Sequence, residues 1–233
     1  MKAVILGGGI AGLTAAILLK EKNWKVVVNE KTTNTKNYGH AFLIHDDALK
    51  ILSTLPSEKE LHLPVVKTNK FLLYSFDGIP LKKTKIQHWN CLKRSDLLTF
   101  LYSFMPADCI KTGRAFKKFI YENGKAVAAE FENGDIEYGD IFIGADGSNS
   151  VVRTELFGPT KFTETEVNEI VGIAPPSADF VPNQGTFEKY LHSEKGLSFG
   201  CIPAHDGSIV WFVQYDVKHF SLNDENKEVF RKE

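Results

Sequence analysis

Residues 2–12, KAVILGGGIAG, constrain this chain more than any other stretch. A short apolar strand runs directly into Gly-x-Gly-x-x-Gly, with Gly7, Gly9 and Gly12 at the three required positions. Between a strand and a helix, the first glycine permits the tight turn and the second lets a diphosphate approach the backbone. The third lets helix and strand pack closely. A helix that starts at Ile10 and Ala11 presents unpaired backbone N–H groups and the positive end of its dipole, which together bind an anion without any basic side chain. The flanking sequence supports this unit. Residues 2–6 are apolar enough for a buried parallel strand, and Ile10, Leu13, Ala16, Ile17 and Leu19 give the helix an apolar face.

Residues 24–28 form a second strand that leads to Glu30, eighteen residues after Gly12. That is close to the spacing of about 20 at which an acid hydrogen-bonds a ribose 2′-hydroxyl. A carboxylate there repels a 2′-phosphate, so the tightly held nucleotide is expected to be FAD or NAD rather than NADP. A glycine-rich turn beside an unrelated Glu is the plain alternative. Lys2 ahead of an apolar run also has the outline of a secretory leader, but the glycine triplet inside it and the polar domain that follows directly argue against cleavage.

With 233 residues, of which 43% are hydrophobic, the chain can bury the core of one large domain or two small ones. Its 28 basic and 29 acidic residues nearly cancel, giving no electrostatic case for nucleic acid or an anionic membrane surface, so neither is expected as a partner. No apolar run reaches transmembrane length. Cys91, Cys109 and Cys201 are far apart and show no metal-ligand spacing, so they read as reduced thiols with packing roles in a cytoplasmic protein.

Turn chemistry sets out the remaining elements. After a polar loop over residues 31–37, the later part of residues 38–52 reads as a helix with Ala48, Ile51 and Leu52 inward. Strands at 71–76 and 79–85 meet at Asp77-Gly78, a hairpin signal. Ser95 is placed to cap a helix over 96–105 that Pro106 closes. Segments 114–121, 125–132 and 135–138 are joined at Asn123-Gly124 and Asn133-Gly134, predicting a three-stranded meander. The run IFIGADG then returns to the main sheet, and a short helix follows from Ser150. FEKYLHS, GLSFGCIP and SIVWFVQYD have the pattern of strands in an antiparallel sheet.

Taken alone, Asp146-Gly147 is a turn after an apolar strand. Combined with the amino-terminal glycines, the string IFIGADGSNSVVR matches the Asp-Gly motif of FAD-dependent aromatic hydroxylases, through Gly144, Ala145, Asp146, Gly147, Ser150 and Arg153. On these residues the chain resembles the p-hydroxybenzoate hydroxylase-like flavoprotein monooxygenase family. In that family an Arg opening an Arg-x-x-Leu segment before a helix contacts the flavin cofactor, and LKRSDLLTFL puts Arg94 there. A cation beside a helix N-terminus is unfavourable by about 0.3 to 1 kcal/mol, a conflict that an external anion removes. A surface pair between Arg94 and Asp96 is the alternative. Lys31 and Lys36 are placed to meet cofactor phosphate or to stay solvated, and His40 and His45 to approach the flavin or simply to pack. Ile202-Pro203 and Trp211-Phe212 resemble the family's substrate-domain sheet in order and spacing.

The resemblance implies an α/β fold. A Rossmann-like FAD-binding domain with parallel sheet and β-meander is expected over residues 1–64 and 91–158. A smaller antiparallel-sheet substrate domain is expected over 65–90 and 159–233. It implies an FAD-dependent oxidoreductase, specifically a monooxygenase, that uses NADH or NADPH and oxygen to hydroxylate a small organic substrate through a flavin hydroperoxide. The cofactor-binding set is then Gly7, Gly9, Ile10, Ala11, Gly12, Glu30, Lys31, Arg94, Asp146 and Gly147, with no metal site and no protein nucleophile. The family's third signature, Gly-Asp-Ala, has no counterpart. Gly134-Asp135 and Gly139-Asp140 continue differently. The expectation is therefore such an enzyme or the amino-terminal portion of one, with FAD binding weakened if that segment is lost and apolar surface that favours a dimer or a partner chain. A non-catalytic nucleotide-binding or interaction module, or a flavin reductase or dehydrogenase of the same fold, are the competing readings.

Overall fold

A computed structural model describes residues 1–33, 40–55, 62–178, 181–194 and 196–220. Lys36, and residues 228–233, whose sequence reads as a charged helix, lie outside the described residues. The chain divides into two compact units. Met1–Gly39, Lys50–Leu63 and Arg94–Phe162 form one, and His40–Leu49, Pro64–Lys93 and Thr163–Glu233 form the other.

The first unit is built on a parallel sheet in the order β10 (Ile141–Gly144), β1 (Lys2–Leu6), β2 (Lys25–Glu30), β6 (Ile110–Thr112). Strand β1 is paired on both edges, with Leu6 opposite Asn29 on one side and Gly144 on the other. Ala3, Val4, Ile5 and Leu6 are all buried, which is why this strand is continuously apolar rather than alternating. Helix α1 (Ile10–Glu21) buries Leu13, Ala16 and Ile17.

The meander forms as its turns predict, with β7 (Phe116–Glu122), β8 (Lys125–Phe131) and β9 (Ile136–Tyr138) in sequential order. Asn123 and Gly124 take φ values of 50° and 76°, the paired left-handed geometry of a two-residue hairpin turn. Phe116, Phe119, Ala129 and Phe131 pack onto Val4 and Leu6 of β1 and Val152 of α4 (Val151–Phe157). Charge adds a second attachment. Glu137 of β9 is only 6% exposed. It accepts hydrogen bonds from Lys2 at 2.6 Å, Lys111 at 2.9 Å and Arg114 at 3.0 Å. Arg114 also donates to the buried Asn29 Oδ1 at 3.2 Å and pairs with Asp135 at 2.7 Å.

The second unit is a seven-stranded sheet in the order β11 (Val167–Ala174), β14 (Ile209–Asp216), β13 (Leu197–Pro203), β12 (Thr186–Leu191), β4 (Val66–Ser75), β5 (Pro80–Lys93), β3 (Ala41–His45). It is antiparallel at every neighbour except one: β12 runs parallel to β4. No hairpin joins those two strands, so no tight turn dictates their direction. Cys91 and Cys201 are buried in this unit, and burial pushes both thiols up to about 11. Such thiols are inert at neutral pH, as packing residues are.

Several local expectations change. Strands β3 and β11 are additional, because AFLIH and VNEIVGIA are short runs whose partners lie far away in the chain. Strand β5 continues to Lys93, well past the expected end, and a register shift between Thr68 and Lys70 accommodates the extra length. Helix α2 (Asp46–Ser53) buries Leu52, but Ile51 is 56% exposed, so it covers a narrower stripe than its sequence offers. Helix α3 (Arg94–Tyr102) starts at Arg94 and ends before Pro106, so Ser95 sits in its first turn rather than at its cap.

Burial pushes the Glu137 carboxyl up, but hydrogen bonds and charge from Lys111 and Lys2 outweigh it, holding the group at about 2 against an ordinary 4.5. A depressed carboxyl contributes stability that is complete above its unfolded value and lost as pH falls toward its folded one. Unfolding free energy is therefore expected to fall between pH 4.5 and about 2. The loss is at most about 3 kcal/mol, reduced by screening at the partly exposed lysines. Urea titrations across that range test this, because a Glu137→Gln variant should lose that part of the acid dependence while being less stable at pH 7.

Candidate functional site

The two glycine-bearing motifs meet in the first unit. Gly7, at φ +117°, is a position where an added Cβ would lie 2.3 Å from the Ala145 carbonyl oxygen. Ala145 N–H donates to Leu6 O at 2.7 Å and Gly7 N–H donates to Asn29 O at 2.8 Å. The turn after β1 is thus stitched to the ends of both neighbouring strands. Gly12 serves the turn from below. A Cβ there would lie 2.0 Å from Gly7 O and 3.1 Å from the Ile5 side chain, so α1 can approach β1 only with glycine at this position.

Gly9 differs from both. It is the N-cap of α1 with an ordinary extended backbone, φ −78° and ψ −176°, and no side chain caps the helix. A Cβ on Gly9 would meet nothing within 4 Å. The fold therefore does not require glycine there, and the open space stands directly before the unpaired N–H groups of the first helical turn.

Around that turn lies a cavity of about 300 Å³, walled by Gly7, Gly8 and Gly9, by Asn29, Glu30, Lys31 and Thr32, by Arg94, Leu98 and Tyr102, by Arg114 and by the loop Ala145–Gly147. Glu30 is held rigidly: Gly8 N–H donates to Oε2 at 2.7 Å, and Thr32 donates its N–H and hydroxyl to Oε1, each at 2.9 Å. The Tyr102 hydroxyl donates to Gly8 O at 3.1 Å, so both polar groups of Gly8 are engaged. Asp146 uses its carboxylate on α4, accepting from Val151 N–H at 2.7 Å, Val152 N–H at 3.1 Å and the Ser150 hydroxyl. An anion at a helix N-terminus is favourable, and here it fixes the loop that lines the cavity.

Seven of the ten residues singled out from sequence line this one cavity: Gly7, Gly9, Glu30, Lys31, Arg94, Asp146 and Gly147. Ile10, Ala11 and Gly12 form the first turn of α1 and are not part of the wall. His40 and His45 belong to the second unit, where His45 packs edge-on against Trp89 at 5.2 Å. Sequence reasoning missed Leu98, Tyr102 and Arg114. The first two carry a legible signal, because Arg94, Leu98 and Tyr102 stand four residues apart and share one face of α3. Arg114 carries none, since its place depends on the Glu137 cluster.

Comparison with known proteins decides the family. The family described as FAD binding domain matches residues 1–233. The chain belongs to that family. Among curated relatives, this FAD-binding chain is 28% identical to 3-amino-4-hydroxybenzoate 2-monooxygenase of Streptomyces cremeus, over 67% of the chain and 42% of the relative. It is 30% identical to FAD-dependent urate hydroxylase of Mycolicibacterium vanbaalenii, over 68% of the chain and 42% of the relative. Its fold matches 2,6-dihydroxypyridine-3-hydroxylase from Arthrobacter nicotinovorans with a TM-score of 0.81 at 20% identity, covering 99% of the chain and 66% of that structure. Klebsiella pneumoniae HpxO, solved with FAD and uric acid, superposes with a TM-score of 0.80 at 18% identity, covering 97% of the chain and 59% of that structure. The chain spans less than half the length of those curated relatives.

The two glycines of α1 separate fold from ligand experimentally. Gly12→Ala is expected to cost about 2 kcal/mol or more through overpacking against Gly7. Gly9→Ala should stay within about 0.5 kcal/mol of the parent. Equal denaturation midpoints for the two variants would show that Gly12 does not hold helix and strand together.

Proposed function

We propose that this chain supplies the FAD-binding portion of a monooxygenase that hydroxylates a small aromatic or heteroaromatic ring, with NADH or NADPH as reductant. The carrying observation is Gly9, where glycine is present, the fold leaves room for a side chain, and an uncapped helix faces the space. A diphosphate is the group that such an opening fits. The named activities of the relatives, on aminohydroxybenzoate, urate and dihydroxypyridine, support the substrate class.

In this reading the first unit, Met1–Gly39 with Lys50–Leu63 and Arg94–Phe162, binds the cofactor, and the second unit serves as the substrate domain, so residues 40–49 and 91–93 fall with the substrate domain rather than with the cofactor domain expected from sequence. The N–H groups from Gly9 to Gly12 take the diphosphate, with Ile10 and Ala11 contributing backbone alone. Glu30, already oriented by Gly8 and Thr32, accepts a ribose hydroxyl, and Lys31 stands at the rim as a cation. Arg94 projects from the first turn of α3 into the same cavity, and an anion there relieves its conflict with the helix dipole. The Asp146–Gly147 loop, braced on α4, meets the flavin end. FAD, when bound, supplies the redox chemistry that converts substrate, oxygen, NAD(P)H and a proton into hydroxylated product, water and NAD(P)⁺. The chain's own work is to bind, orient and exclude water.

Titration of the apoprotein with FAD, followed by quenching of flavin fluorescence, tests the site. The parent chain should bind and turn yellow. Gly9→Val should weaken binding by about 100-fold, roughly 3 kcal/mol, without lowering thermal stability. Arg94→Ala should weaken it by about 10-fold, the scale of one charge-assisted hydrogen bond. A parent chain that stays colourless in excess FAD, or a Gly9→Val variant with parental affinity, refutes the assignment. Oxygen uptake matched by NAD(P)H oxidation and hydroxylated product, across a panel of hydroxybenzoates, hydroxypyridines and urate, tests the reaction class.

A further inference from the structure

The hairpin of β4 and β5 carries a charge that the whole-chain balance conceals. From Val66 to Lys93 there are six lysines and one carboxylate, Asp77, a local excess of five positive charges in a chain whose net charge is −1. Lys70, Lys82, Lys83 and Lys85 are exposed. Among the described residues none of these four is held in an ion pair, whereas Lys93 pairs with Asp206. Lys83 stands opposite Leu72 and Lys82 opposite Leu73, so the cations occupy both faces of the ribbon.

Beyond the lysines, three large apolar side chains are exposed around the Asp77-Gly78 turn. Phe76 and Ile79 are each 61% exposed and Leu81 is 55% exposed, with Phe76 resting one side against the His192 ring at 5.5 Å. The turn that presents them is well formed: Gly78 takes φ +82°, and Ser75 N–H donates to Ile79 O at 2.9 Å.

Strand β3 covers the outer edge of β5 only from Trp89 to Lys93. Lysines along the uncovered part block the addition of another strand, which disfavours a second copy of this chain as the occupant. Edge protection accounts for Lys82, Lys83 and Lys85, but it leaves the apolar tip unexplained. Hydrophobic residues flanking the Asp77-Gly78 turn, with cations one step behind, follow the order of materials met on entering an anionic bilayer, where hydrocarbon lies beneath phosphate, and leave one carboxylate at the apex within a local excess of five positive charges. Lysine stems let the ammonium groups stay at headgroup level while the residues beside them go deeper.

We propose that the β4–β5 hairpin docks this protein on anionic lipid surfaces. Phe76, Ile79 and Leu81 enter the interface, and Lys82, Lys83 and Lys85 engage lipid phosphates. The attachment proposed is peripheral and reversible, through side chains at one turn. It is independent of cofactor binding and of the reaction proposed above.

Co-sedimentation with vesicles tests the surface. The chain should pellet with phosphatidylcholine–phosphatidylglycerol vesicles, remain in the supernatant with phosphatidylcholine alone, and be released at high salt. Lys82→Gln/Lys83→Gln/Lys85→Gln should lower binding by about 100-fold. Phe76→Ser/Ile79→Ser/Leu81→Ser should abolish it, while Lys117→Gln/Lys118→Gln on the meander should leave it unchanged. As a check independent of these losses, Ile79→Trp should show a blue-shifted emission on adding the anionic vesicles. Absence of binding by the parent chain, unchanged binding by the tip variant, or no spectral shift overturns the proposal. So does a dimer in solution that the tip variant converts to monomer, which would reassign the surface to self-association.

Discussion

Gly7 and Ala145 approach so closely that no side chain fits between them, and the architecture of the first unit follows from that contact. A Cβ at Gly7 would fall 2.3 Å from the Ala145 oxygen, inside any permissible van der Waals distance. The Ala145 N–H bond to Leu6 O then locks the ends of β1 and β10 together. Two loops from opposite ends of the unit's sequence become adjacent walls of one cavity. With either loop displaced, the N-terminus of α1 would face solvent instead of a shaped space.

The cavity is preorganised by hydrogen bonds that use no ligand. Gly8 is gripped through its N–H by Glu30 and through its carbonyl by Tyr102. Asp146 is committed to α4, so the loop behind Gly147 keeps its course. At the far side of the sheet, Glu137 collects Lys2, Lys111 and Arg114 and holds the meander against β1 and β6. Arg114 links that cluster to the cavity, since it contacts Asn29 and Glu137 while forming part of the wall. Breaking a buried ionic cluster of this kind is costly because it strands the remaining charges.

Legibility from sequence tracked how local each signal is. The strand–glycine–helix unit, the Asn-Gly turns and the capping Ser150 are decided by neighbouring residues, and all appear where the spacing places them. The start of α3 falls two residues before the expected Asp96, within the variation that fraying gives helix ends. Strand β3 was missed because four apolar residues and a His before a helix satisfy either pattern until the distant partner Cys91 on β5 is known. Tyr102 was within reach, since it lies two turns beyond Arg94 on one helical face. Arg114 was not, because a lone Arg before a strand says nothing about the buried carboxylate that receives it.

By itself the sequence determined that this chain makes a dinucleotide-type turn, because only glycine tolerates the backbone angle at residue 7 and the close approach at residue 12. It also determined the second loop, through Asp146 and Ser150, whose bonds are all to residues within six positions. Tertiary structure alone decided that the two loops share a cavity and that α3 and Arg114 complete its wall. It alone also ran β12 parallel to β4. Those outcomes depend on contacts between residues far apart in the chain, whose partners no local pattern specifies.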